Sequence, residues 1–474
     1  MSAALFVVAL TAVSGQGGAA GTSAPWDARY QVSASPDGQD LRVEAELSGV
    51  TGGALTIDPA SAPFVDSPMM RVWSGRWLPV VPAAHGTWRA ELCRASACRL
   101  RYVFHLGAAA RALNDPDSAA ERGGAVVAPA STWLMRPARL PETGLRARLR
   151  ATAPAPLVFV TGLPRVAGSS DSYAVTLLPD FSSPYAAVGR LDVQQLDAPG
   201  SDVQLAFAMP SLGPDQPRLR AWVTAAVRAV TAYFGRFPVD RALVLAIPQP
   251  AGLHGKAMGG GGATVLIQVA SGVDLADPSV DWQAAHEMVH LAVPQMARAH
   301  LWLTEGLATY VEPLARALTG ELRPEVVWRD LIVGLTKGLP APGDRGLDRT
   351  HTWGRTYWGG ALFAFLADLE IRKASKDEQS LATALRGILR EGGDTRVFWS
   401  AERFMATADR ALGRPILTPL YRRWATTPIA VDLPALWRAL GVSLSADGHV
   451  TFDEAAPLAA LRRSMIGPVT PKHP

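Results

Sequence analysis

The hydrophobic patterning of this chain changes character near Pro210, and that change rules out a uniform architecture. From Trp26 to about Ala206, segments such as YQVSA, LRVEAEL, CRLRYVFHL, LRARLRA and YAVTLL alternate apolar and polar residues or are rich in β-branched side chains. A period of two puts one face of a strand in a core and the other in water. Gly, Pro, Asp and Ser interrupt these runs at short intervals, which predicts an all-β domain of sandwich type over 25–205. Beyond Pro210 the spacing becomes helical. QPRLRAWVTAAVRAVTAYFG carries apolar residues on one helical face and ends at Gly235, the residue type that closes helices. ALVLAI and TVLIQVA read as strands flanking a glycine-rich loop from Gly255 to Gly262. Helices are expected over 281–293, 303–318, 325–337, 353–373, 378–390, 398–412 and 416–425. The plan is a multidomain α+β chain with an N-terminal β-sandwich-like domain over 25–205. A mixed core follows over 206–375, then a helical C-terminal region and tail over 376–474. Its 474 residues also exceed what one hydrophobic core organises.

Composition narrows the function. Hydrophobic residues make up 48% and charged residues 19% of the chain, which suits burial rather than disorder. The net charge of +4 is small for the length. No dense Lys/Arg run interleaves with aromatics, so nucleic acid is not an expected partner. Ala3 to Val13 is apolar but too short to cross a bilayer, and small residues follow from Gly15 to Ser23. Residues 1–24 are expected to act as a secretory signal cleaved near Ala20, although no Lys or Arg precedes the apolar run. The product would be secreted or periplasmic, without a stable membrane span. Cys93 and Cys98 are the two cysteines. They cannot supply the four ligands of a structural zinc site, and export favours a disulfide between them over two free thiols.

The chemistry concentrates at His286-Glu287-Met288-Val289-His290. On a helix, residues i and i+4 lie one above the other, so both imidazoles can reach one metal ion. Glu287 is turned about 100° around the axis and would sit beside the metal as a general base. A chance HExxH on an amphipathic helix is the competing explanation. The setting favours the site: DWQAAHEMVHLAV has Asp281 near its start and Pro294 at its end. Catalytic zinc takes three protein ligands and keeps one position open. His300 and Glu305 are the downstream candidates for the third. Glu305 is preferred because it completes a His2Glu set, its alternative role being a first-turn acid favouring the helix dipole.

HEMVH followed by WLTEGLATYVE resembles the gluzincin pattern HExxH…WLxEGxAxYxE of the aminopeptidase N family and its relative, the bacterial glycyl aminopeptidase family. FGRFPVDRALVLAIPQP resembles the segment leading into their catalytic core, and RTYWGGALFAFL their Tyr-x-Lys-Gly-Ala element. The resemblance spans about 210–370. It implies a thermolysin-like mixed catalytic core, Zn2+ as cofactor, His286, His290 and Glu305 as ligands, Glu287 as base, and Tyr357 as donor to the tetrahedral intermediate. Read alone, Tyr357 would be an aromatic on a buried helix face. Three departures stand out. Fourteen residues separate His290 from Glu305, against about eighteen in the family pattern. Gly359 replaces the lysine after the tyrosine. Lys256-Ala257-Met258-Gly259-Gly260-Gly261-Gly262-Ala263 carries no acid where the family's Gly-x-Met-Glu-Asn holds the substrate amino terminus.

The expected activity is therefore zinc-dependent hydrolysis of a peptide or protein substrate, aminopeptidase-like, with Glu287 activating the attacking water. Gly259, Gly260 and Gly261 would let a substrate backbone approach closely, with TVLIQV as a pairing edge strand. A plain flexible loop is the other reading of those glycines. The functional alternative is a peptide-binding protein that keeps the fold without catalysis, and a third is a structural role for the β domain. His85, His105, His254, His351 and His449 are expected to be ordinary surface or core histidines, with His254 and His351 lying near candidate active-site segments.

Overall fold

The computed structural model describes residues 26–48, 51–72, 75–93, 97–178, 182–208 and 212–467; the expected signal segment lies outside them. The architecture is mixed α/β, with several sheets and a large helical part.

The N-terminal part alternates as its sequence dictates. Strands Ala28–Ala34 and Leu41–Leu47 bury every second residue and pair antiparallel in full register. They sit in a seven-stranded sheet that packs with two four-stranded sheets around one apolar cluster. This part is not purely β: helix Leu106–Leu113 buries Leu106, Ala109 and Ala110. The arrangement is thus three sheets with two short helices, Leu106–Leu113 and Ala130–Trp133, rather than a plain two-sheet sandwich. Cys93 and Cys98 are disulfide-bonded.

The change of period does not coincide with the change of sheet. Leu191–Leu196, expected in the N-terminal domain, and Asp202–Ala208, which straddles its expected end, belong to a five-stranded sheet with Arg241–Pro248, Thr264–Val269 and Leu253–Met258. Asp202–Ala208 pairs parallel with Arg241–Pro248. Helix Gln216–Phe234, ending on left-handed Gly235, lies between these two strands in sequence. The expected division at 205/206 therefore cuts a parallel pair, because period reports which faces are buried and not which sheet a strand joins. Arg241–Pro248 is buried along seven of its eight residues, as a central strand covered on both faces must be.

Thr264–Val269, expected as an edge strand, is internal: it pairs parallel with Arg241–Pro248 and antiparallel with Leu253–Met258. The true edge is Leu253–Met258. Half of the expected glycine loop is thereby strand, and Gly259–Gly262 is the turn of a hairpin.

The helices after residue 280 follow the predicted spans closely, as Gln283–His290, Leu301–Leu318, Pro324–Lys337, Leu381–Arg390, Ala401–Leu412 and Leu417–Thr426. Their apolar faces share one continuous cluster that runs from Leu196 to Met465. The C-terminal region consequently shares its core with the mixed segment before it. Buried Asp368 ties this packing together, accepting from Tyr310 Oη at 2.8 Å, Arg372 Nε at 3.2 Å and the Leu381 amide at 2.7 Å. Asp409 similarly accepts from the amides of Ile416, Leu417 and Thr418 at the start of Leu417–Thr426. Among the described residues, no helix is long and apolar enough to cross a membrane.

Candidate metal centre

Helix Gln283–His290 is short because its C-terminal turn is taken over by another segment. Pro294 prevents continuation. The Leu291 carbonyl instead accepts from Thr395 N at 3.2 Å, and Gln295 exchanges backbone hydrogen bonds with Val397 and Trp399. The helix buries Ala284, Ala285, Met288 and Val289 against the core. His286 and His290 project from the remaining face, their rings 5.0 Å apart.

Glu305 arrives on helix Leu301–Leu318. Its Oε2 lies 3.3 Å from His286 Nε2 and 3.5 Å from His290 Nε2. These three residues form the one His/Cys/Asp/Glu group able to hold a metal ion among the described residues. Metal–ligand bonds of 2.0–2.1 Å arranged tetrahedrally imply ligand–ligand separations of about 3.3–3.4 Å. The two edges, 3.3 and 3.5 Å, lie within about 0.2 Å of that figure. Two imidazole nitrogens and one carboxylate oxygen, with a fourth side left to the cavity, also suit a divalent ion. Burial opposes ionisation of Glu305, but the two imidazoles outweigh it and hold the carboxyl well below the usual range. His300 does not join the group: Asp348 holds its Nδ1 at 3.0 Å and also accepts from Trp302 Nε1 at 2.7 Å. His254 lies on the edge strand facing the cavity, while His351 is exposed and away from it.

Glu287 points toward the edge strand. Its Oε2 accepts the Ala257 amide at 2.7 Å, and Gln283, one turn earlier, accepts the Gly255 amide at 3.0 Å. Gln283 Nε2 also donates to Leu253 O. Two side chains of the motif helix thus grip the edge strand. Gly255 is needed for that grip, since a Cβ there would stand 2.7 Å from Glu287 Cγ.

Tyr357 sits in a π-helical turn, Arg355–Gly359, that runs into helix Gly360–Ala374. Such turns shift one side chain out of helical register. The placement depends on a close helix crossing: a Cβ on Gly306 would fall 2.2 Å from the Gly360 backbone. The Gly306–Gly360 contact brings Tyr357 to Glu305, with its ring stacked on His286 at 6.4 Å. Burial, then the Glu305 and Glu287 carboxylates, push its hydroxyl up to about 12. Tyr357 therefore stays protonated as a donor at neutral pH.

The glycine turn packs against another segment of the chain. Gly260 donates to Thr395 O at 3.2 Å and Gly261 to Arg396 O at 2.9 Å. Of the three, Gly259 alone borders the cavity, and its missing Cβ admits the Thr395 carbonyl. These glycines dock the hairpin onto 394–398, a contact that local composition does not announce. The cavity over the centre has a volume of about 1340 Å3 and includes the Arg316 network, in which the guanidinium holds Asp281, Glu312 and Glu321. Sequence reading missed this network; the only signal was the i,i+4 pair Glu312 and Arg316.

The fold is similar to that of a solved aminopeptidase N family protein from Idiomarina loihiensis, with a TM-score of 0.64 and 14% identity. The match covers 88% of this chain and 79% of that one. No family model and no curated protein matches the sequence. The chain thus has a distant aminopeptidase-N-like fold.

Proposed function

We propose that this chain is a zinc-dependent peptidase of gluzincin type, hydrolysing peptide bonds with a water activated by Glu287. The observation that carries the reading is the convergence of His286 Nε2, His290 Nε2 and Glu305 Oε2 at tetrahedral-edge separations beside Glu287 and Tyr357. The similar fold of an aminopeptidase N family protein supports it. His286, His290 and Glu305 would hold the ion, which when bound supplies Lewis-acid polarisation of a carbonyl and acidification of water.

The chain's own groups supply the proton path and the positioning. The Ala257 amide fixes Glu287 through Oε2, leaving Oε1 to take a proton from the attacking water. As oxygen adds to the scissile carbonyl carbon, Tyr357 donates a hydrogen bond to the oxygen gaining charge. Glu287 then delivers its proton to the amide nitrogen, the C–N bond breaks, and the amine leaves neutral. The edge strand Leu253–Met258 would align the substrate backbone along this row.

Glu287→Gln tests the reading. The variant should retain one metal per chain by elemental analysis and lose about 10²- to 10⁴-fold in kcat on a peptide mixture. Unchanged turnover would remove Glu287 from the mechanism.

A further inference from the structure

The cleft walls carry a statement about substrate class that builds on the hydrolytic reading above. Among the described residues, the exposed large hydrophobic side chains are Val81, Leu301, Val333, Trp353, Val397 and Phe398. Four of these six, Leu301, Val333, Trp353 and Phe398, border the cavity over the metal centre. They come from four separate places: the start of the Glu305 helix, the helix Pro324–Lys337, the approach to Tyr357, and the segment docked on Gln295. Trp353 is 61% exposed and Phe398 63% exposed. Apolar groups gathered at one mouth and left in water mark a binding surface. The surface is continuous with the centre, since the Trp353 ring lies 6.0 Å from Tyr357, which stacks on His286. The cavity, at about 1340 Å3, exceeds the range of roughly 300–1,000 Å3 usual for small-molecule sites.

The edge-strand wall adds a second constraint. A substrate amino terminus brings an ammonium group that needs a carboxylate partner when it leaves water. Lys256 on this wall is held by Asp117, contributed by the N-terminal part of the chain. Its Oδ2 holds Lys256 Nζ and its Oδ1 accepts from fully buried Tyr185. Lys256 lies on the edge strand itself and borders the cavity, so Asp117 is already neutralised by the chain's own ammonium. The carboxylates that line the cavity are engaged as well: Glu287 by Ala257 N, Glu305 by the two imidazoles, Asp281 and Glu312 by Arg316, and Asp330 by Arg329.

We infer that the cleft takes interior segments of apolar polypeptide, gripped by the Leu301–Val333–Trp353–Phe398 rim, with no requirement for a free amino terminus. The chain on the amino side of the scissile bond continues past Lys256 instead of ending there.

The test uses the full zinc-loaded chain and a fluorescent ten-residue peptide rich in Leu and Phe, prepared with a free or an acetylated amino terminus. Acetylation should change kcat/KM less than threefold, and the first products should arise from an interior bond. The double variant W353S/F398S should raise KM roughly tenfold, the loss expected when about 55 Å2 of apolar surface across the two sites is no longer covered by substrate, with kcat within twofold. Both residues are exposed, so an unchanged melting temperature is expected and checks folding. A tenfold or greater loss on acetylation, or stepwise release from the amino terminus, overturns the inference. Anisotropy with the same acetylated peptide separates this failure from that of the hydrolytic reading. Tight binding without turnover counts against hydrolysis alone, whereas equal affinity in parent and double variant overturns the rim.

Discussion

Gly255→Ala adds a single methyl group, yet it should disable the base without unfolding the chain. The new Cβ would lie 2.7 Å from Glu287 Cγ and 3.4 Å from both Cδ and Oε1. Ordinary contact begins near 3.4 Å, so about 0.7 Å of movement is the minimum relief. Cγ lies mid-chain, and moving it carries the carboxylate along. If the strand retreats instead, the 2.7 Å bond from Ala257 N to Glu287 Oε2 opens. Either route displaces the proton acceptor by about 1 Å, which costs on the order of 100-fold in rate, or about 2.7 kcal/mol in activation free energy. Gly255 does not have a positive φ, so alanine brings no backbone strain, and the side-chain clash alone should lower melting temperature modestly. The assay is kcat on an internally quenched peptide at saturating substrate, with metal content measured on the same sample. Combining the change with E287Q isolates its route, because a methyl group acting through Glu287 has little left to remove. Turnover within threefold of the parent would refute the reasoning. So would a double variant that loses a further 100-fold.

Tyr357→Phe should lower kcat by about 10²- to 10³-fold, the usual loss of an oxyanion donor, while KM from initial rates stays within a few-fold. Gly306→Ala should lower melting temperature markedly, because its Cβ meets the Gly360 backbone at 2.2 Å and neither helix has a flexible atom to move. Overpacking of this kind costs about 1–3 kcal/mol or more, and thermal unfolding that matches the parent would count against the crossing. Glu312 makes stability depend on pH. Burial pushes its carboxyl from 4.5 up to about 7, although Arg316 opposes the shift. Between those values the native chain keeps a proton that the unfolded chain has released, so stability should fall as pH rises from about 4.5 to about 7. Glu312→Gln should flatten that slope in urea unfolding curves. A slope equal to the parent's would exclude Glu312 as its source.

What sequence alone could determine here was local. The i,i+4 spacing of His286 and His290 follows from 3.6 residues per turn, and the helices expected at 303–318 and 325–337 formed at Leu301–Leu318 and Pro324–Lys337. Apolar periodicity over several turns leaves little freedom in such segments. Tertiary structure decided which distant groups meet. Glu305 reaches the imidazoles, and Tyr357 reaches Glu305, because Gly306 and Gly360 let two helices cross at backbone contact. Sheet membership was equally non-local: the 205/206 division falls inside strand Asp202–Ala208, which pairs with Arg241–Pro248, and Leu253–Met258 rather than TVLIQV ended at the edge. The glycine run docks on residues 394–398, a partner its composition does not name, and Lys256 met an acid 139 positions away. Periodicity encodes which face of an element is buried; the partner that buries it is selected by shape and charge across the whole chain.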